Sequence, residues 1–214
     1  MCAICGVLAF AGAPDQDLLT RMAGRQKHRG PDGDGAWVSG PVALGHNRLS
    51  IIDLSGGRQP MGTEDGRFRI VFNGEIYNFQ EIRRALEALG SKFRTRSDTE
   101  VILEAYRVRG EACLEEFNGM FAFALWDGPR RRLFLARDRL GKKPLYYTAD
   151  RRRLIFASDM KALLEDPTVP REVDPQALAE YLAFGYIPAP RTILKGVKKL
   201  PAGTCLTVEA DGRT

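Results

Sequence analysis

The sequence predicts an α+β protein, with antiparallel sheets and helices kept apart from them. Strand-like runs are short and bounded by Gly, Pro, Asn or Asp. Helical segments occur, but they do not alternate strictly with strands as a doubly wound parallel sheet requires. Two pairs of strands follow each other closely enough to be hairpins.

Taken in order, Cys5–Phe10 reads as a short buried strand, and Asp15–Gln26 as a helix with Leu18, Leu19, Met22 and Ala23 on one face. The stretch His28–Gly35 is polar and glycine-rich and reads as a loop. Val42–His46, Leu49–Ile52 and Arg69–Phe72 are strand-like, the last broken by Asn73-Gly74, a tight-turn dipeptide. Asn78 with Glu81 predicts a capping box opening a helix. Its apolar face would be Phe79, Ile82, Leu86 and Leu89, and Gly90 ends it. Phe93–Arg96 reads as a strand, and Ser97-Asp98-Thr99-Glu100 starts a helix that runs to about Arg109. Met120–Asp127 and Arg132–Arg137 form a hairpin across Gly128-Pro129, and Tyr146–Ala149 with Leu154–Ala157 form another. Short helices follow at Met160–Leu164 and Asp174–Phe184, then a strand at Thr204–Val208. Asp211-Gly212 signals a hairpin whose return strand would begin at Arg213, so the chain is expected to continue past Thr214 in a longer protein.

The chain has 214 residues, 44% hydrophobic and 28% charged, the balance of a globular protein rather than a disordered, collagenous or coiled-coil one. At roughly 150 residues per domain this is one large domain or two very small ones. Its longest apolar run, Met120–Trp126, is far below the roughly 20 residues a membrane helix needs, and the N-terminus has no secretory pattern. Four cysteines make no disulfide framework, so reduced thiols in a cytoplasm are expected. The net charge of +5 is concentrated between Pro129 and Arg153, where ten Lys or Arg face only Asp138 and Asp150. These read as solvated hairpin turns, with a docking face or an anionic ligand as the alternatives. Aromatics are not interleaved as stacking platforms, so nucleic acid is not expected.

Cys2 is the first candidate for chemistry. Removal of Met1 would leave a cysteine with a free α-amine. The amine titrates near 7.7–8.0 and the thiol near 8.5. One residue thus offers a nucleophile and the base that activates it, which suits a chain with only two histidines. Asn73-Gly74 offers a side-chain amide and an unobstructed N–H for an oxyanion, or is a plain turn. Arg48 can grip a carboxylate in two-pronged fashion, or is a surface arginine. Asp98 can hold an ammonium group, or caps a helix. Cys2-Ala3-Ile4-Cys5 admits a rival reading as a zinc or redox pair, but Cys113 and Cys205 are isolated and a zinc site wants four ligands.

Several segments occur in order: Met1–Gly6, His28–Asp32, Arg48–Asp53, Asn73–Asn78, Ser97–Glu100, Gly119–Ala124 and Arg137–Tyr147. Together they resemble the glutaminase domain of glutamine-hydrolysing asparagine synthetases, across essentially the whole chain. The resemblance implies an N-terminal-nucleophile hydrolase, a four-layer αββα sandwich over residues 2–214. It implies that Cys2 attacks the glutamine side-chain amide and that Asn73 and Gly74 stabilise the oxyanion. Arg48 would hold the substrate carboxylate and Asp98 with Glu75 its amino end, while Leu49, Ser50, Ile51 and Ile52 line the pocket. It implies no cofactor here. ATP and Mg²⁺ belong to a C-terminal synthetase domain, expected to be absent from this chain, that would receive the ammonia. Ser55-Gly56-Gly57 lacks the rest of that domain's nucleotide loop and reads as an ordinary turn. Ala3 departs from the family's usual glycine, tolerable unless the backbone there needs positive φ. L-Glutamine is the expected small-molecule partner, and a homodimer is a further expectation. Two other readings share this fold: a non-catalytic amino-acid sensor, and an amidotransferase with a different acceptor.

Overall fold

The computed structural model describes residues 1–50, 53 and 56–214. Among the described residues, eleven strands fall into two antiparallel sheets. They are β1 (Ala3–Ala9), β2 (Gly33–Ser39), β3 (Val42–Arg48), β4 (Met61–Gly62), β5 (Phe68–Ile76), β6 (Gly119–Asp127), β7 (Arg132–Arg137), β8 (Tyr146–Ala149), β9 (Arg153–Ala157), β10 (Lys198–Lys199) and β11 (Cys205–Glu209). One sheet has the order β10-β8-β9-β1-β3-β2, the other β11-β7-β6-β5-β4. The helices are α1 (Gln16–Arg25), α2 (Phe79–Ala88), α3 (Asp98–Arg109), α4 (Met160–Leu163) and α5 (Pro175–Phe184).

The two-residue period of a strand explains the layers. In β1, Ile4 and Leu8 face the second sheet and meet Val71, Ala122, Ala124, Leu133 and Leu135. The intervening Cys5 and Val7 face outward against Leu18, Leu19 and Met22 of α1 and Ala162 and Leu163 of α4. The second sheet does the same: Ile70, Phe72, Phe123 and Phe134 turn outward against Ile82 and Leu86 of α2 and Val101, Ile102, Ala105 and Tyr106 of α3. The result is the four-layer αββα sandwich, with three apolar layers and the sheets stacked face to face.

Several local expectations change. Gly33-Asp34-Gly35 lie in β2 rather than a loop, because this edge strand pairs along its whole length with β3. Leu49 and Ser50 leave the strand after Arg48, and Ile51 and Ile52 lie outside the described residues. Asn73-Gly74 is not a turn: β5 runs through it to Ile76, paired with β6 residue by residue. Asn78 precedes α2 without capping it through its side chain, which instead binds Glu116 O and Asn118 N across the loop. Leu89 is exposed at the end of that helix. Phe93–Arg96 is not a strand, because the Glu100 carboxylate collects the N–H groups of Arg94 and Thr95 and folds the segment onto α3. Ala3 sits in β1 opposite Asn47 and needs no positive φ. Asp53 closes the turn at Gly56 and Gly57 by accepting both N–H groups, while Ser55 lies outside the described residues. No described helix is long and apolar enough to cross a membrane.

The basic window is less solvated than its charge predicts. Arg132 binds Glu111 and lies against Asp127, Arg153 binds Asp166, and Arg137 and Arg139 donate to backbone carbonyls. Lys143 is buried. Half of that charge therefore ties elements together.

Candidate active site

A cleft opens at the N-terminus. Cys2, Arg48, Leu49, Asn73, Gly74, Glu75 and Asp98 all line it, although they come from four separate places in the chain. Ser50 does not; its N–H donates to Asp32 Oδ2 at 2.8 Å, on the side away from the cleft. Ile51 and Ile52 lie outside the described residues.

Cys2 is half-buried just before β1. Its sulfur accepts from Leu49 N–H at 3.3 Å and faces Leu49 O at 3.5 Å, so the chain leaving β3 fixes the thiol. Arg29 donates from Nε to Cys2 O at 3.5 Å and anchors the terminus from below. Met1 precedes Cys2, so the Cys2 nitrogen is an amide here, and the Met1 side chain occupies part of the cleft.

The donors come from the geometry of β5. In an antiparallel pair, alternate residues point their N–H groups away from the partner strand. Phe72 N–H goes to Gln59 Oε1 at 2.6 Å and Ile76 N–H to Asp98 Oδ2 at 3.1 Å, both on the edge away from β6. Gly74 lies midway and follows the same alternation. Opposite it, Phe121 directs its own N–H and C=O to Asp138, away from β5. The Gly74 N–H therefore points into the cleft, between two donors already satisfied. Glycine is required at this position by the neighbouring strand: a Cβ would meet Met120 O at 2.2 Å and Phe121 Cα at 2.7 Å. Asn73 is buried, its Nδ2 3.5 Å from Ser158 Oγ, a long contact that a better acceptor would replace.

Asp98 is the first helical residue of α3, one position inside the N-cap Ser97, so capping is not its role. Burial pushes its carboxyl up to about 6; N–H donors at Ile76 and Thr99 partly offset this, and Glu75 adds repulsion. At neutral pH it is an anion near its titration point, suited to a cation. Arg48 also lines the cleft and donates from Nη2 to Asp53 O at 2.6 Å. His46 is no base: burial lowers it to about 4, and the neutral ring donates from Nε2 to Phe72 O at 3.2 Å, linking the two sheets. Cys5 is not brought to Cys2. It packs under α1 and burial raises its thiol to about 12, which removes the metal or redox pair.

Sequence reasoning missed Gln59, Thr99, Met120 and Lys143, all of which line the cleft. Gln59 holds Phe72 N–H and donates to Thr99 Oγ1 at 3.3 Å, joining β5 to α3. Nothing in its spacing signals this. Lys143 lies within the segment Arg137–Tyr147, but its burial is not legible there.

Comparison with known proteins bears on this arrangement. The family model described as a glutamine amidotransferase domain matches residues 1–214. Glutamine-hydrolyzing asparagine synthetase 3 of Bacillus subtilis is 40% identical over 217 residues, covering 99% of this chain and 35% of the relative. Asparagine synthetase 1 of the same organism is 43% identical over 216 residues, covering 99% of this chain and 34% of the relative. The chain thus spans about a third of the length of these curated relatives. The solved glutamine phosphoribosylpyrophosphate amidotransferase of B. subtilis superposes with a TM-score of 0.68 at 19% identity, over 98% of this chain and 48% of that one, a likeness of fold. A domain-wide family match and relatives at this identity establish that the chain belongs to the glutamine amidotransferase domain family.

Proposed function

We propose that residues 2–214 form a glutaminase domain that hydrolyses the side-chain amide of L-glutamine with Cys2 as nucleophile. The observation that carries the reading is the Gly74 N–H, an open backbone donor aimed into the same cleft as the Cys2 thiol. Once Met1 is gone, the α-amine takes the thiol proton and the sulfur attacks the amide carbon. The carbonyl oxygen becomes an oxyanion held by Gly74 N–H and Asn73 Nδ2. The ammonium returns its proton to the amide nitrogen, and collapse of the oxyanion breaks the C–N bond, leaving a γ-glutamyl thioester and free ammonia. Water then attacks the thioester and releases glutamate. Arg48 pairs with the substrate carboxylate. Asp98, with Glu75 near it, takes the ammonium group. Two opposite charges fixed across one cleft select a free amino acid over a peptide.

The ammonia would pass to a synthetase domain, for which the resemblance implies ATP, Mg²⁺ and aspartate; the relatives are named as glutamine-hydrolyzing asparagine synthetases. A cytoplasmic setting suits its free cysteines. The test is incubation of the Met1-free chain with glutamine and no ATP: glutamate and ammonia are expected in equal amounts. Binding of glutamine without release of either would favour the sensor.

Asp98 adds a pH signature. Protonation removes the anion that receives the ammonium group, and its pKa lies near 6. KM for glutamine is therefore expected to rise as pH falls below about 6, approaching tenfold per unit. Steady-state kinetics between pH 5 and 8 read this, and Asp98→Asn should have a high KM that no longer varies over that range.

A further inference from the structure

We propose that Lys143 is a positioning residue for the nucleophile, its ammonium placed beside the N-terminus so that the α-amine stays neutral and ready to take the thiol proton, and the thiolate formed as it does so is stabilised. The inference rests on the assignment of Cys2 above. Lys143 is only 5% exposed and lines the cleft with Cys2, Asn73 and Gly74. Its Nζ meets Met1 Sδ at 3.2 Å, and no carboxylate lies within ion-pair distance among the described residues. A thioether is a weak acceptor. Removing Met1 takes even that contact away and leaves the cation beside the new N-terminus. Burial disfavours the ammonium, while the Cys2 sulfur acts in the opposite direction.

The segment Arg137–Lys143 is built to place this cation. Asp138, fully buried, accepts N–H groups from Leu140, Lys142 and Lys143 and from Phe121 of β6. Arg137 donates to the carbonyls of Gly141, Lys143 and Leu200. Arg139 donates to Phe117 O and Glu115 O. Of these residues only Lys143 reaches the cleft. The loop's hydrogen bonds thus fix the backbone that carries Lys143, a side chain that the hydrolysis scheme had not used.

A positive charge nearby makes an α-amine easier to deprotonate and a thiolate easier to form, so both effects favour activation. Other charges face the same residue. Arg29 reinforces Lys143 from the segment after α1, and Arg48 does so from the end of β3. Glu75 from β5 and Asp98 from α3 oppose it, while Asp138 is occupied by its loop. Lys143 is the cation placed against Met1 itself.

The test compares Met1-free wild type, Lys143→Met, Lys143→Gln and Lys143→Arg. Two curves are read: the pH profile of kcat/KM for glutamine, and the pH dependence of Cys2 alkylation by iodoacetamide, followed peptide by peptide with exposed Cys205 as internal reference. Both neutral variants should move the acid limb of both curves upward by about one pH unit, with the alkaline plateau largely retained. Lys143→Arg should stay near wild type. Curves that superpose on wild type in the neutral variants overturn the proposal, as does an equal shift in Lys143→Arg. If the chain hydrolyses no glutamine, the assignment of Cys2 fails, and the alkylation curve still decides what Lys143 does.

Discussion

Cys2→Ala in the Met1-free chain is expected to lower kcat for glutamine hydrolysis by at least about 10³-fold, with the fold intact. The size follows from the chemistry: without the sulfur no thioester forms, and the oxyanion donors alone leave only a small residual rate. The intact fold follows from the packing. The thiol is half-buried and its partners are the two backbone groups of Leu49, so its loss opens no large cavity. A chain that keeps Met1, or carries a tag ahead of it, should show a loss of similar size with Cys2 unaltered, because its nitrogen is then an amide and not a base. Glutamate release assayed on three samples with measured N-terminal masses separates the two effects. Full activity with Met1 retained would show that the base lies elsewhere.

Gly74→Ala is expected to lose both stability and activity. The added Cβ would lie 2.2 Å from Met120 O and 2.7 Å from Phe121 Cα, both backbone atoms near the start of the paired strand β6. Relief requires β5 and β6 to move apart, which disturbs the outward packing of Phe72 and Phe123 as well. We expect a cost of about 2–4 kcal/mol, or roughly 5–15 °C in Tm. The same shift misdirects the N–H that would hold the oxyanion, so kcat should fall by about 10²-fold or more even where the variant is folded. Gly33→Ala is the control, since a Cβ there meets nothing within 4 Å, and its Tm should stay within a few degrees of wild type. Thermal unfolding of both variants, with activity measured well below either Tm, checks both statements.

What was legible in the sequence follows from what is local. Caps and apolar periods marked α1, α3 and α5, because Asp15, Ser97 and Asp174 accept N–H groups of their own first turns. Hairpins β6–β7 and β8–β9 were legible from turn residues between apolar runs. Asn73-Gly74 was misread because its local turn preference is outweighed by a nine-residue strand paired along its length. β2 was missed because an edge strand with one covered face tolerates Gly and Asp. In the site, Cys2, Arg48, Asn73, Gly74 and Asp98 could be named, yet only the fold shows that the Gly74 N–H is an open donor between two filled ones. The burial of Lys143 was invisible because it depends on Asp138 and Arg137 folding a polar loop inward. A charge-rich window says how many cations there are, not which of them are internal.

The most direct test is covalent labelling with a glutamine analogue that carries a chloroketone in place of the side-chain amide, followed by peptide mass mapping. The expected result is one equivalent of adduct on Cys2 at the free N-terminus, slowed by glutamine and absent in chains that keep Met1. An adduct on Cys205 instead, or Cys2 left unmodified in a folded chain with a free N-terminus, would contradict the assignment.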